Sequence, residues 1–139
     1  MDTELAAELR GAVVRFSRRL RRERPEYALL SMSHLSALAS LYKAGALSPR
    51  ELASVERVQP PSMTRIVVRL QELELVERSP HPTDRRQAVL ALTPKGRDLV
   101  AENRRRREAW LARRLDDLAP DERETLRKAA ALLERLGGE

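Results

Sequence analysis

The chain has 139 residues, with 27 Lys/Arg against 21 Asp/Glu and a formal net charge of +6. This length suits one domain, alone or with an added helical part, and the positive balance favours a polyanionic partner. The absence of cysteine excludes disulfides, thiolate metal sites and redox sensing through a thiol. No apolar run approaches the ~18 residues of a membrane-spanning helix, and no signal peptide is evident, so we expect a soluble, cytoplasmic protein without a membrane partner.

The N-terminal segment predicts an amphipathic helix over residues 3–22, which Pro25 ends. Arginines fill most of the surface that the apolar stripe leaves. One thin stripe at a chain end cannot form a core alone, so it must be covered by another element or another chain. The stripe consists of Leu5, Leu9, Ala12 or Val13, Phe16 and Leu20.

Two short helices are predicted next. One covers residues 33–43, with Ser33 as its N-cap and Gly45 as its terminator. Ser-Pro-Arg-Glu at 48–51 predicts a capping box that opens the other, at about 49–56. The expected inward residues are Leu35, Leu38, Ala39 and Tyr42 in the first helix, and Leu52, Ala53 and Val55 in the second.

Residues 59–76 predict a fourth helix, and Pro60 and Pro61 fit only in its first turn, so it begins near Gln59. Its apolar stripe recurs at three- and four-residue steps. Short hydroxyls near the front of the opposite face, with arginines one turn behind, suit contacts with base edges and phosphates. The stripe is Met63, Ile66, Val67, Leu70 and Leu73, and the opposite face is Pro61, Ser62, Thr64, Arg65, Val68 and Arg69.

After Leu75 the period changes from 3.6 to 2, which predicts a two-stranded hairpin. Pro80 and Pro82 exclude helix in its basic tip, and residues 87–92 alternate as in a half-buried strand. The hairpin therefore forms a wing beside the two preceding helices, which form a helix-turn-helix.

The C-terminal third predicts a long helix at about 94–117, opened by Thr93-Pro94, and a last helix at about 120–136. The fold class is thus mainly α with a small two-stranded β-wing. We expect an N-terminal dimerisation helix (1–24), a winged helix-turn-helix unit (33–93), and a linker helix with a C-terminal dimerisation helix (94–139). A symmetric homodimer is the simplest way to cover the apolar faces at both ends.

The chain resembles the MarR family of winged-helix regulators along essentially its whole length. The resemblance is carried by S-x-T-R-x-V-x-R-L, then L-V-x-R, then D-R-R-x-x-x-L-x-L-T-x-x-G, within residues 62–100. It implies an obligate dimer, a reading helix in the major groove, a wing that reaches the minor groove, and in many members relief of repression by a small ligand.

By position, the resemblance places DNA contacts on the fourth helix and on the wing. Ser62, Thr64, Arg65 and Arg69 match the reading-helix positions, and Pro61 adds an apolar contact there. The wing motif is Asp84, Arg85 and Arg86: Asp84 is expected to brace an arginine, and one arginine enters the minor groove while the other contacts phosphate. Further candidates for backbone contacts are Ser48, Arg50 and His81.

Other features have a plain structural reading beside a functional one. The arginine run at 104–107 is flanked by acids in a charge-neutral segment, so a solvated helix face is favoured over a nucleic-acid patch. His81 is either a phosphate contact or a turn residue, and two distant histidines without cysteine predict neither a metal nor a cofactor. Four aromatic residues either line a ligand pocket or simply pack in the core or at the dimer interface: Phe16, Tyr27, Tyr42 and Trp110.

These patterns favour a dimeric, sequence-specific transcription regulator, in most such cases a repressor, that binds a pseudo-palindromic operator in double-stranded DNA. The alternative is a non-specific architectural DNA-binding protein of the same fold, which would show steep salt dependence and little sequence discrimination. An enzyme is not expected, because the chain has no Gly-rich phosphate loop, no metal cluster and no nucleophile–base pair.

Overall fold

The computed structural model describes residues 1–23 and 30–138. Within them the chain divides into two compact units, which are treated separately. The winged unit is the described part of residues 25–104, and the helical unit is the described part of residues 1–24 and 105–139. The elements in order are α1 (Thr3–Arg21), α2 (Met32–Ala44), α3 (Pro49–Glu56), α4 (Pro60–Glu72), β1 (Val76–Pro80), β2 (Ala88–Leu92), α5 (Pro94–Asp116) and α6 (Pro120–Gly137).

The winged unit has one hydrophobic core, formed where α2, α3, α4 and the hairpin meet. Leu38, Leu52, Met63, Leu70 and Leu90 are among its fully buried side chains. Burying one such side chain contributes roughly 1.5–3 kcal/mol. This core fixes α4 by its apolar stripe, so the opposite face of α4 is left on the surface.

Helix α2 differs from the prediction at its start and in its buried face. Its N-cap is Ser31 rather than Ser33, because the Ser31 hydroxyl accepts the His34 backbone N–H while the His34 ring reaches back to the Ser31 backbone. Ala39 is exposed. The face turned to the core is Ala37, Leu38 and Leu41, with Leu35 and Tyr42 partly buried beside it.

Helix α3 begins as predicted. The Ser48 hydroxyl accepts the Glu51 backbone N–H at 3.1 Å, and Glu51 Oε1 accepts the Ser48 N–H at 3.0 Å. The Ser48 backbone N–H bonded to the Glu51 carboxylate is the main cause of the lowered pKa of Glu51, and the Ser48 side chain lowers it further. Val55 was predicted to face inward, which is wrong: it is 57% exposed, because an eight-residue helix buries only Leu52 and Ala53.

The hairpin pairs β1 with β2 antiparallel, in a register that sets Val76 opposite Leu92 and Pro80 opposite Ala88. A third segment joins it: Leu47 exchanges two backbone hydrogen bonds with Leu90, at 3.0 and 2.7 Å. The periodicity of the sequence does not predict this bridge. It connects the turn between α2 and α3 to the base of the wing.

The start of α5 anchors the end of α4. Thr93 Oγ1 donates to the Glu74 carbonyl at 2.6 Å and accepts the Gly96 N–H, and Lys95 Nζ donates to the Leu73 carbonyl at 3.1 Å. A Cβ on Gly96 would lie 2.1 Å from the Leu75 carbonyl oxygen. The T-x-x-G motif is therefore a packing motif, in which only glycine lets α5 approach this turn.

The helical unit has a different character. Neither α1 nor α6 contains a buried residue. Trp110 of α5 is buried against Phe16, with ring centroids 6.2 Å apart, and the guanidinium of Arg19 lies 4.4 Å from its ring. Most large apolar side chains of α1 and α6 remain exposed: Leu5, Leu9, Val13, Val14, Phe16, Leu126, Leu132, Leu133 and Leu136. No helix among the described residues is long and apolar enough to cross a membrane.

Candidate nucleic-acid interface

The candidate reading face lies on α4, opposite its buried stripe. Met63, Val67 and Leu70 point into the core, whereas Pro61, Ser62, Thr64 and Arg65 are exposed and Arg69 is half-buried. The helix begins at Pro60 after the N-cap Gln59, as predicted. All five predicted reading-helix residues therefore lie outside the core, on one accessible side of a single helix.

The two arginines of this face differ in their surroundings. Arg69 Nη1 lies 3.4 Å from Glu72 Oε2, one turn further along the helix. Within the part of the chain that the structure describes, Arg65 has no acidic partner. Arg65 can therefore turn to an external acceptor without breaking an ion pair, whereas Arg69 must exchange Glu72 for that acceptor.

The Thr64 hydroxyl already donates a hydrogen bond within α4. Its Oγ1 donates to the Pro60 carbonyl at 3.0 Å, one turn back in the same helix. The proton of this hydroxyl is thus used within α4, and only its acceptor lone pairs face outward. Thr64 can accept from an amino group on a base edge but cannot, in this state, donate to a phosphate oxygen.

The wing tip is a closed turn organised by His81 and Asp84. His81 Nδ1 accepts the backbone N–H groups of Thr83 and Asp84 at 3.2 and 3.1 Å. A ring nitrogen that accepts carries no proton, so the neutral ring holds its proton on Nε2 and can still donate there. His81 is a structural residue of the turn that retains one ring donor, the Nε2–H.

Asp84 braces Arg86 by a route other than the predicted one. Asp84 Oδ1 accepts the backbone N–H of Arg86 at 3.0 Å, and the structure shows no pairing of Asp84 with an arginine side chain among the described residues. The brace therefore acts on the main chain and not on a guanidinium, because a carboxylate two residues earlier closes a tight turn there. Both Arg85 and Arg86 are left exposed at the tip.

The remaining candidates separate into engaged and accessible groups. Ser48 is buried and its hydroxyl caps α3, so it is not available for a contact with the DNA backbone, whereas Arg50 in the first turn of α3 is exposed.

The aromatic candidates for a ligand pocket lie in different units. Phe16 and Trp110 pack on each other in the helical unit. Tyr42, in the winged unit, instead lies beneath the Arg104 guanidinium at 4.7 Å. Tyr27 lies outside the described residues.

His34, which the sequence analysis left without a role, lies near the reading helix. Its pKa is lowered, chiefly by burial and secondly by the charge of Arg69. The described residues contain no group of three or more His, Cys, Asp or Glu that could hold a metal ion. The site is therefore built from arginines, hydroxyls and apolar side chains, which suits nucleic acid.

Comparisons with known proteins agree with this geometry. A model of the MarR family matches residues 30–88. The chain is 46% identical over 132 residues to the HTH-type transcriptional regulator Mb0904 of Mycobacterium bovis, covering 95% of this chain and 92% of the relative. The crystal structure of a protein from Pseudomonas aeruginosa superposes with a TM-score of 0.87 at 33% identity, covering 99% of this chain and 97% of that one.

A more distant relative is the HTH-type transcriptional repressor MdtR of Bacillus subtilis. It is 36% identical over 90 residues, covering 65% of this chain and 58% of the relative. Both of these relatives are named as transcriptional regulators rather than enzymes.

Proposed function

The chain belongs to the MarR family of transcriptional regulators, with a DNA-binding winged helix, and from this premise we propose that it is a homodimeric, sequence-specific repressor. In this proposal each copy inserts α4 into the major groove of one half of a pseudo-palindromic operator. The observation that carries the proposal is the outward face of α4, where Pro61, Ser62, Thr64 and Arg65 are exposed directly opposite a complete core.

On this face Arg65 contacts a guanine edge, because it has no intramolecular ion pair to break and a guanidinium fits guanine O6 and N7 in a bidentate manner. Arg69, paired to Glu72, contacts phosphate. Ser62 donates to a base or a backbone oxygen, and Thr64 accepts from a base amino group.

The wing supplies the second contact. Arg86 follows the turn that Asp84 closes, so its backbone is fixed while its side chain is exposed. We assign Arg86 to the minor groove, where narrow A·T-rich stretches attract arginine, and Arg85 to phosphate. Arg50 and the Nε2–H of His81 are the further phosphate contacts.

The helical unit supports dimerisation. Most large apolar side chains of α1 and α6 are exposed, and exposed apolar area of this kind is typical of an interface. The C-terminal end of α1 and the N-terminal end of α6 also carry opposite charges. The last turn of α1 contains Arg18, Arg19 and Arg21, and the first turn of α6 contains Asp121 and Glu122. A second copy provides matching apolar faces and complementary charges at once.

Repression is the sign of regulation that we propose, since MdtR is named as a repressor. The proposal includes release of the operator by a small ligand, as the family resemblance implies, and activity in the cytoplasm, where its DNA partner is. Trp110 is the only tryptophan, so its fluorescence reports ligand binding near the Phe16–Trp110 contact. Quenching by a compound that also releases DNA would support this step.

The test of the proposal is fluorescence anisotropy of the full chain with the DNA upstream of its own gene, against a shuffled duplex, at several salt concentrations. Specific binding about a thousandfold tighter than binding to the shuffled duplex is expected for a regulator of this class. Equal affinity for both duplexes, falling steeply with salt, would favour the architectural alternative. An in vitro selection from random duplexes then separates that alternative from an operator located elsewhere.

A further inference from the structure

The centre of the exposed face of α4 is partly apolar. At 3.6 residues per turn, positions 61, 65, 68 and 72 fall within a sector of about 60°, opposite the buried stripe. Arg65 therefore lies between two apolar side chains, Pro61 on one side and Val68 on the other. Val68 is 46% exposed, and Glu72 beyond it is engaged with Arg69.

Val68 is an unfavourable choice for a helix surface that meets only water. Valine has a lower helix propensity than alanine or a long polar residue, and it exposes its methyl groups to solvent. Its side chain is also stiff, because β-branching leaves it essentially one rotamer in a helix. A stiff methyl pair at the middle of a reading face loses little conformational entropy when it packs against a ligand.

We propose that Val68 is a specificity-determining residue that, together with Pro61, reads the 5-methyl groups of thymines beside the base that Arg65 contacts. This inference rests on the proposed function. Along the helix axis Arg65 is about 6 Å from Pro61 and about 4.5 Å from Val68. Successive base pairs are ~3.4 Å apart, so both apolar side chains reach bases one or two steps from the Arg65 contact.

The chemistry of the major groove fits this pairing. Thymine differs there from uracil only by its methyl group, and apolar side chains recognise that methyl by contact. The Thr64 hydroxyl, bonded to Pro60, adds an acceptor but no competing donor on the same side of the helix. The preferred half-site therefore contains a guanine with thymines at neighbouring positions.

The test uses the full-length protein and a duplex obtained by in vitro selection from random DNA. Each thymine of one half-site is replaced in turn by uracil, which removes only the 5-methyl group and preserves base pairing. At one or two positions near the conserved guanine the affinity of the wild-type chain should fall about three- to fivefold, the effect of losing one buried methyl contact. Anisotropy titrations give each affinity.

Val68→Ala is the decisive variant. It should bind the selected duplex more weakly and lose the uracil penalty at its own position, while the penalty assigned to Pro61 remains. Val55→Ala is the matched control, because Val55 is a valine of the same unit with 57% exposure on α3. It should keep every uracil penalty, and both variants should retain the wild-type thermal transition, since neither valine is in the core.

Equal uracil penalties for Val68→Ala and the wild-type chain at every position would overturn the inference and leave the proposed function intact. The same holds if no uracil substitution weakens wild-type binding. Failure of the selection to enrich any duplex would instead overturn the proposed function, and this inference with it.

Discussion

The winged unit and the helical unit differ in how far they bury their apolar side chains. The winged unit encloses fully buried side chains from α2, α3, α4 and the hairpin, and leaves one face of α4 on the surface. In the helical unit, α1 and α6 bury no residue at all and expose most of their leucines. One unit therefore has a core within a single chain, and the other leaves most of its large apolar side chains exposed.

This difference separates the two requirements of an operator-binding protein. A reading helix must be held rigidly by its own core, so that exposed side chains keep their geometry. A dimerisation region must keep its apolar area for another copy. Paired substitutions, one in each unit, test the comparison.

The largest expected effect comes from Leu38→Ala in the winged unit, where Leu38 is fully buried. A truncation of this kind costs about 2–5 kcal/mol of the free energy of unfolding. The matched change, Leu132→Ala, is at a side chain that is 51% exposed in α6. In the proposed homodimer the contact it removes lies between copies, so its effect should grow with protein concentration. Urea denaturation followed by circular dichroism at several protein concentrations distinguishes the two variants. Equal losses of unfolding free energy that do not depend on concentration would contradict the comparison.

A glycine pair gives the next effect. Gly96→Ala places a Cβ 2.1 Å from the Leu75 carbonyl oxygen, so α5 must shift from the turn after α4. Such overpacking costs about 1–3 kcal/mol of stability. Gly137→Ala meets nothing within 4 Å at the end of α6 and should be neutral or stabilising by less than about 1 kcal/mol. Thermal melts of both variants measure this, and a destabilised Gly137→Ala chain with an unchanged Gly96→Ala chain would reverse our interpretation.

An arginine pair tests the wing. Arg86→Ala should weaken operator binding by roughly 1–3 kcal/mol without altering the dimer. Arg127→Ala, in α6, removes an exposed arginine that pairs with Glu124 and should leave operator affinity unchanged. Anisotropy at one salt concentration gives both affinities. An unchanged affinity of Arg86→Ala would refute the assignment of the wing.

The smallest effect is a dependence of stability on pH through His34. Burial and the Arg69 charge lower the pKa of His34 in the folded chain, so the unfolded chain binds more protons once the pH falls toward the ordinary histidine value of about 6.5. Stability is therefore retained above that value and lost as the pH falls through the interval between the unfolded and folded pKa. His34→Gln, which keeps a capping side chain, should show a weaker decrease in urea denaturation between about pH 7 and pH 5. An identical decrease in both chains would exclude His34 as its source.

Periodicity was sufficient to predict the helices, the hairpin and the outward face of α4, because each depends on residues close in sequence. The sequence-based predictions were wrong or incomplete where contacts between residues distant in sequence determine the structure. Helix α2 packs against α3, α4 and β2, so its buried face is centred on Leu38 and Leu41 rather than on Ala39. The bridge between Leu47 and Leu90 joins segments that no repeat relates.

The sequence predicts which secondary-structure elements carry the site, but not which hydrogen bonds its residues make. The motif located Asp84 and Arg86 on the wing, yet the donor to the Asp84 carboxylate is the backbone N–H of Arg86. The role of His81 depends on the direction of its ring toward Thr83 and Asp84, which sequence spacing does not determine. The Ser31-x-x-His34 pattern was a readable signal for the start of α2, with histidine in the place of the usual Glu or Gln.

In the proposed complex, two winged units are held together by two helical units on one operator. The most direct measurement is the stoichiometry and affinity of the full chain on a selected inverted repeat, before and after inserting five base pairs between the half-sites. Native mass spectrometry gives the stoichiometry and anisotropy gives the affinity. We expect two chains per duplex and a large loss of affinity after the insertion, because half a helical turn moves the second half-site to the far side of the DNA. A single bound chain, or an affinity that ignores the insertion, would contradict the account.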